Sequence, residues 1–114
     1  MGGEMTYQHQ ELAAGRWKEM SLLEQMANIG SEVDRALNWK MKSNNSFCQK
    51  AVDRALELLD LSLASTSELP RLKELARTRE ALVDYFIGNN EYQSSDALWR
   101  KFFFHFALAL RKDR

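Results

Sequence analysis

Apolar residues recur along this chain every three to four positions, the spacing that puts them on one face of a helix. Over 22–37 the set is Leu22, Leu23, Met26, Ile29, Gly30, Val33, Ala36 and Leu37. Over 48–63 it is Cys48, Ala51, Val52, Ala55, Leu58, Leu59 and Leu63, and over 72–86 it is Leu72, Leu75, Ala76, Leu82, Val83 and Phe86. A fourth arc comprises Leu98, Trp99, Phe102, Phe103, Phe106, Ala109 and Leu110. Three polar breaks, KSNNS (42–46), STSELP (65–70) and GNNEYQSSD (88–96), separate these stretches. Short connections between long amphipathic helices make antiparallel neighbours. The pattern predicts an all-α fold, an up-down four-helix bundle with short loops over 10–114, preceded by a flexible N-terminus over 1–9. Segment 10–20, with Leu12, Ala13, Trp17 and Met20, either extends the first helix backwards or forms a separate turn. VDRAL occurs at 33–37 and again at 52–56, an echo too short to mark a repeat.

The boundaries carry capping chemistry. Ser21 with Glu24, and Ser46 with Gln49, match the capping box in which two side chains satisfy free backbone N–H groups. Pro70 suits a first helical turn, where its missing N–H costs nothing. Gly88 suits the left-handed residue that ends a helix. Ser94, Ser95 or Asp96 can cap the fourth helix, and Arg111, Lys112 and Arg114 complement the negative end of its dipole.

Composition narrows the function classes. With 114 residues the chain is one domain, large enough for a core without staples. Sixteen Lys and Arg balance sixteen Asp and Glu, so no charge excess is available for general nucleic-acid coating. The single cysteine, Cys48, excludes an intrachain disulfide and a Cys-based zinc site, and reads as a small buried residue. Only His9 and His105 are available as imidazole ligands, so neither a metal nor another cofactor is expected. No Gly-rich phosphate loop, H-E-x-x-H or nucleophile elbow is present. The start has no charged head followed by an apolar run, and no run approaches the length of a membrane span, so the expected location is the cytoplasm.

Several residues break the helical pattern. Phe104 and Leu108 fall opposite the apolar arc of the fourth helix, where solvent is expected. With the arginines beside them they read either as scattered surface apolars or as an oligomer interface. Trp39 lies on a polar side near the first loop, where it either caps the bundle end or anchors a partner. Arg79 falls in the centre of the third apolar arc. It needs a carboxylate (Asp34, Asp53 or Asp60) to fix helix register, or else a pocket in which its planar fork holds an anion. His105 stands at the edge of the fourth arc, five residues from Arg100, and the two point about 140° apart on one helix.

The Arg-x4-His motif RKFFFH at 100–105, in the last helix of a small helical bundle, resembles the HEPN group of prokaryotic helical domains. That resemblance implies a homodimer whose last helices bring Arg100 and His105 of both chains into one cleft. There the histidine would act on the reacting hydroxyls of RNA and the arginine on the phosphate. Inactive members of the group partner small nucleotidyltransferases. Lys101 departs from the small polar residue common after the arginine. The residues by themselves favour a non-catalytic, self-associating binding protein, with HEPN-type RNA cleavage or nucleotide binding as the alternative.

Overall fold

A computed structural model describes residues 15–112; the expected flexible stretch 1–9, Leu12, Ala13 and Arg114 lie outside the described residues. The described chain is all-helical. A short helical segment runs through residue 19, and four long helices follow: α1 (Leu22–Met41), α2 (Asn45–Ser65), α3 (Leu69–Phe86) and α4 (Asp96–Lys112). There are thus five helical segments where the apolar pattern alone marks four. The short one does not extend α1, because the capping box interrupts the chain. Ser21 is extended, its Oγ accepts from the Glu24 backbone N–H at 3.1 Å, and Glu24 accepts from the Ser21 N–H in return. A residue held this way starts a helix and cannot sit inside one.

Two other expected boundaries shift. α2 is capped by Asn44, whose Oδ1 accepts from the Phe47 N–H at 3.0 Å, and not by Ser46. Ser43 has already turned the chain through the left-handed region (φ 59°), so the helix nucleates two residues earlier. Gln49 instead donates to Asp53, one turn on. Gly88 does not take a positive φ; Asn90 and Gln93 do. Glycine still suits the position, since a Cβ would lie a tight 3.1 Å from both Cα and carbonyl oxygen of Asp84. Pro70 does occupy the first turn of α3, and Ser95 caps α4 by accepting from the Leu98 N–H.

Close backbone approach is concentrated between α1 and α2, α1 and α4, and α2 and α3. α1 is therefore the central helix, with α2 on one side and α4 on the other, and α3 leaning on α2. Cross-helix partners such as Lys40 with Asp96 and Arg100 with Asp34 show that α4 runs antiparallel to α1. Ile29, Val33 and Leu37 of α1, Leu59 of α2 and Leu82 of α3 form a fully buried centre, and Trp99 and Phe103 close it from α4. The α1–α4 approach is set by Gly30: a Cβ there would stand 2.8 Å from Cβ of Phe103. α3 and α4 meet mainly through side chains. That open flank explains why Leu98, expected in the core, is 57% exposed. Ala76 is exposed as well, since the buried line of α3 runs through Leu75, Thr78 and Leu82.

A buried polar circuit holds the short segment to this core. The Trp17 indole N–H donates to Ser62 Oγ at 2.9 Å, Ser62 Oγ donates to Gln25 Oε1 at 2.8 Å, and Gln25 Nε2 donates to the Trp17 carbonyl at 2.8 Å. Each buried polar group is thereby satisfied, which is the condition for placing a serine and a glutamine in an apolar interior.

Two stability outcomes follow. Gly30→Ala forces Phe103 and α4 outward and should lower stability by about 1–3 kcal/mol, read as a lower urea midpoint. Ser62→Ala strands both the Trp17 donor and the Gln25 acceptor and should cost about 1–3 kcal/mol. An unchanged midpoint in either variant would contradict the corresponding contact.

Candidate functional site

α4 presents its polar residues to two different sides of the molecule. Arg100 reaches back to α1, where Nη1 donates to Asp34 Oδ1 at 2.8 Å and Nη2 donates to Asn38 Oδ1 at 3.1 Å. His105 is exposed and lines a groove on the α3 side with Arg77 and Ala81. The helical turn that separates five positions keeps the two apart within one chain. Phe104 is 53% exposed, as its place on the outer face predicts. Leu108 is only half-buried against its surroundings and is not the open surface leucine that the same reasoning expects. Phe104, Ala107 and Arg111 face Ala27, Gly30 and Ser31 of α1 across a shallow trough of about 560 Å³.

Trp39 sits at the α1–α2 turn. Its ring meets Phe47 edge-on at 4.8 Å and carries the Lys42 ammonium at 5.2 Å, while its carbonyl accepts from the N–H groups of Lys42 and Asn44. The ring therefore packs on the start of α2 and is half-buried there. Arg79 is not buried. It flanks the Leu75–Thr78–Leu82 line on the side facing α2 and pairs in a fork with Asp60, Nε to Oδ1 at 2.7 Å and Nη2 to Oδ2 at 3.3 Å. Its side chain is 37% exposed, so the expected desolvated guanidinium becomes a surface ion pair between α2 and α3. Of the three candidate carboxylates Asp60 is the partner; Asp34 pairs with Arg100 and Asp53 accepts from Gln49.

The most connected polar cluster is one that sequence patterning does not reveal. Lys40 at the end of α1, Tyr85 at the end of α3 and Asp96 at the start of α4 converge at one end of the molecule. Lys40 Nζ donates to Tyr85 Oη at 2.8 Å and to Asp96 Oδ1 at 2.9 Å, and Tyr85 Oη donates to the same carboxylate oxygen. The Lys40 ammonium also lies 4.5 Å from the Tyr85 ring centre. Burial alone would push Asp96 up, but the hydrogen bonds from Tyr85 and Lys40 and the Lys40 charge outweigh it and hold the carboxyl below its ordinary value. For Lys40 burial works downward, and the Tyr85 and Asp96 partners overcome it to leave the ammonium raised. Burial and the bond to Asp96 push the Tyr85 hydroxyl up against the Lys40 charge. The result is a neutral phenol between fixed opposite charges, a clamp and not a general base. Burial also pushes the neighbouring Cys48 thiol up, which disfavours the nucleophilic thiolate. No signal could have found the clamp from sequence, because its members are separated by 45 and 11 positions.

Among the described residues no group of three His, Cys, Asp or Glu side chains is placed to hold a metal ion, and no helix is long and apolar enough to cross a membrane. Comparison with protein-family models, with curated proteins and with solved structures finds no match to this chain.

The clamp sets a pH dependence with a definite sign. Asp96, depressed in the folded chain, contributes stability above the unfolded carboxyl value of about 4 and loses it as pH falls through the lower folded value. Lys40 and Tyr85, both raised, contribute fully below about pH 10 and lose that contribution as pH rises through their folded values. Tyr85→Phe should flatten both limbs of the urea midpoint against pH; an unaltered profile would show the clamp to be without weight. Arg79→Leu should cost less than about 1 kcal/mol, since both members of its pair are substantially exposed. A larger loss would mean the pair fixes helix register after all.

Proposed function

We propose that this chain is an up-down four-helix-bundle protein of the cytoplasm that acts by binding and self-associates as a homodimer, without chemistry of its own. The observation that carries this reading is the division of α4 between two sides of the molecule. Arg100 is engaged by Asp34 and Asn38 on one side, and His105 stands on the other, while Phe104 is exposed. A catalytic pair needs convergence; an interface needs an exposed aromatic next to a recess.

The α1–α4 trough supplies that recess. Its floor on α1 is made of Ala27, Gly30 and Ser31, and its wall on α4 carries Phe104 and Arg111. Under a two-fold axis the Phe104 ridge of one copy meets the small-residue floor of the other, which is the self-complementarity an isologous dimer requires. Aromatic residues and arginine are the types that interfaces enrich. Trp39, packed on Phe47, is part of the bundle end in this reading and not of the interface.

The HEPN-type alternative, with RNA cleavage by Arg100 and His105 or partnership with a nucleotidyltransferase, requires a two-chain cleft in which Arg100 leaves Asp34. No geometry within one chain favours it.

Light scattering at about 10 and 100 micromolar should report twice the chain mass at the higher concentration, and Phe104→Glu should weaken association at least about tenfold without unfolding the chain. A monomeric wild type at both concentrations would overturn the proposal. RNA cleavage by wild type that is lost in His105→Ala would replace it with the nuclease reading.

A further inference from the structure

The flank between α3 and α4 is one where two long helices face each other with little close backbone approach. Side chains bridge most of it, and they leave a continuous seam on the surface. One end is apolar and narrow, about 270 Å³, walled by Leu22, Met26, Leu75, Phe102 and Phe106. The other is wider, about 520 Å³, and carries Arg77, Lys101 and His105 beside Trp99 and Leu98. Glu74, Thr78 and Phe102 border both ends, so the two are one groove. From Pro70 to Ala81 it follows α3 for roughly 16 Å.

Two independent features say what fits. The first is the charge along the groove: a mostly apolar slot bordered by Arg71 at one end, and at the other two permanent cations and an imidazole, against the single carboxylate of Glu74, which lies 4.0 Å from Arg77. The second is Trp99. It is only 7% exposed, it forms a wall of the cationic end, and its indole N–H is the one buried side-chain polar group among the described residues that has no partner. An unmet buried donor is rare enough to call for an acceptor.

From these we infer that the α3–α4 seam is a binding site for a single-chain amphiphile with a carboxylate head, of the fatty-acid class. The tail lies in the slot between Leu75 and the rings of Phe102 and Phe106. The carboxylate lies at the other end, where Arg77 and Lys101 supply charge beside the Trp99 ring. This site is on the α3 flank of α4; Lys101 borders both it and the α1–α4 trough, and the remaining lining residues of the seam are separate from the trough.

The test is calorimetric titration of the full chain with octanoate, decanoate and dodecanoate, each below its micelle concentration. Affinity should rise roughly fourfold per added methylene while the slot fills. The Trp99 indole N–H resonance should move on binding, whereas that of Trp17, already bonded to Ser62, should not. The double variant Arg77→Glu/Lys101→Glu changes exposed residues only, so its melting curve should match the wild type. It should weaken decanoate about tenfold or more and leave 1-decanol nearly unchanged. Absence of saturable binding by all three acids, a flat chain-length series, or a variant that weakens acid and alcohol alike would each overturn the inference.

Discussion

The contact on which the rest of the arrangement depends is the approach of α4 to α1 over Gly30. Because a Cβ at that position would stand 2.8 Å from Cβ of Phe103, only glycine lets the two helices come this close. Phe103 then stacks with Trp99, and Trp99 and Phe102 meet edge-on, so a run of aromatic rings is carried into the core along one helix. The same approach brings Arg100 within reach of Asp34 and Asn38, and Asp96 within reach of Lys40. Both polar links are consequences of an apolar one, because long side chains can only pair after packing has set the distance between their helices.

Polar clusters mark the two ends of that packed middle. At one end the Trp17–Ser62–Gln25 circuit ties the short helical segment to α1 and α2. At the other end Lys40, Tyr85 and Asp96 tie α1, α3 and α4 together. This second cluster is where α3 and α4 are joined by polar contacts; along the rest of their length they face each other across side chains. A helix pair fastened at one end and open along its flank leaves a groove by construction. The groove can persist because the rings that line it, Phe102 and Phe106, are also packed against the core on their inner edges.

The functional picture follows from how α4 divides its surface. Its inner face is aromatic core. The flank toward α1 carries Arg100, Phe104 and Arg111 over a floor of small residues, the flank toward α3 carries His105 over the open seam, and Lys101 borders both. A helix with two usable flanks suits a protein that works by contact. The separation of Arg100 from His105 has the same origin: five positions along a helix are too many for one side and too few to reach the same side again.

Much of this was legible along the chain. The helix-forming stretches, the Ser21–Glu24 box, the place of Pro70 and the exposure of Phe104 are all local properties, decided by side-chain spacing and by which backbone groups need partners at a helix end. Even the errors at Ser46 and Gly88 were displacements of a boundary by a residue or two, since Asn44 competes for the same role and Asn90 takes the positive φ. What sequence could not decide was rotation and distance. Arg79 looked central because its arc has no marked centre until α3 settles against α2 and turns it toward Asp60. Leu98 looked buried because nothing in the sequence says that the α3 side of α4 stays open. The Lys40–Tyr85–Asp96 clamp, the Gln25–Ser62–Trp17 circuit and the α3–α4 seam exist only between helices. Helix positions depend on interactions a few residues apart, which the chain carries within itself; how helices turn toward one another depends on the volumes that meet between them, which only the assembled core determines.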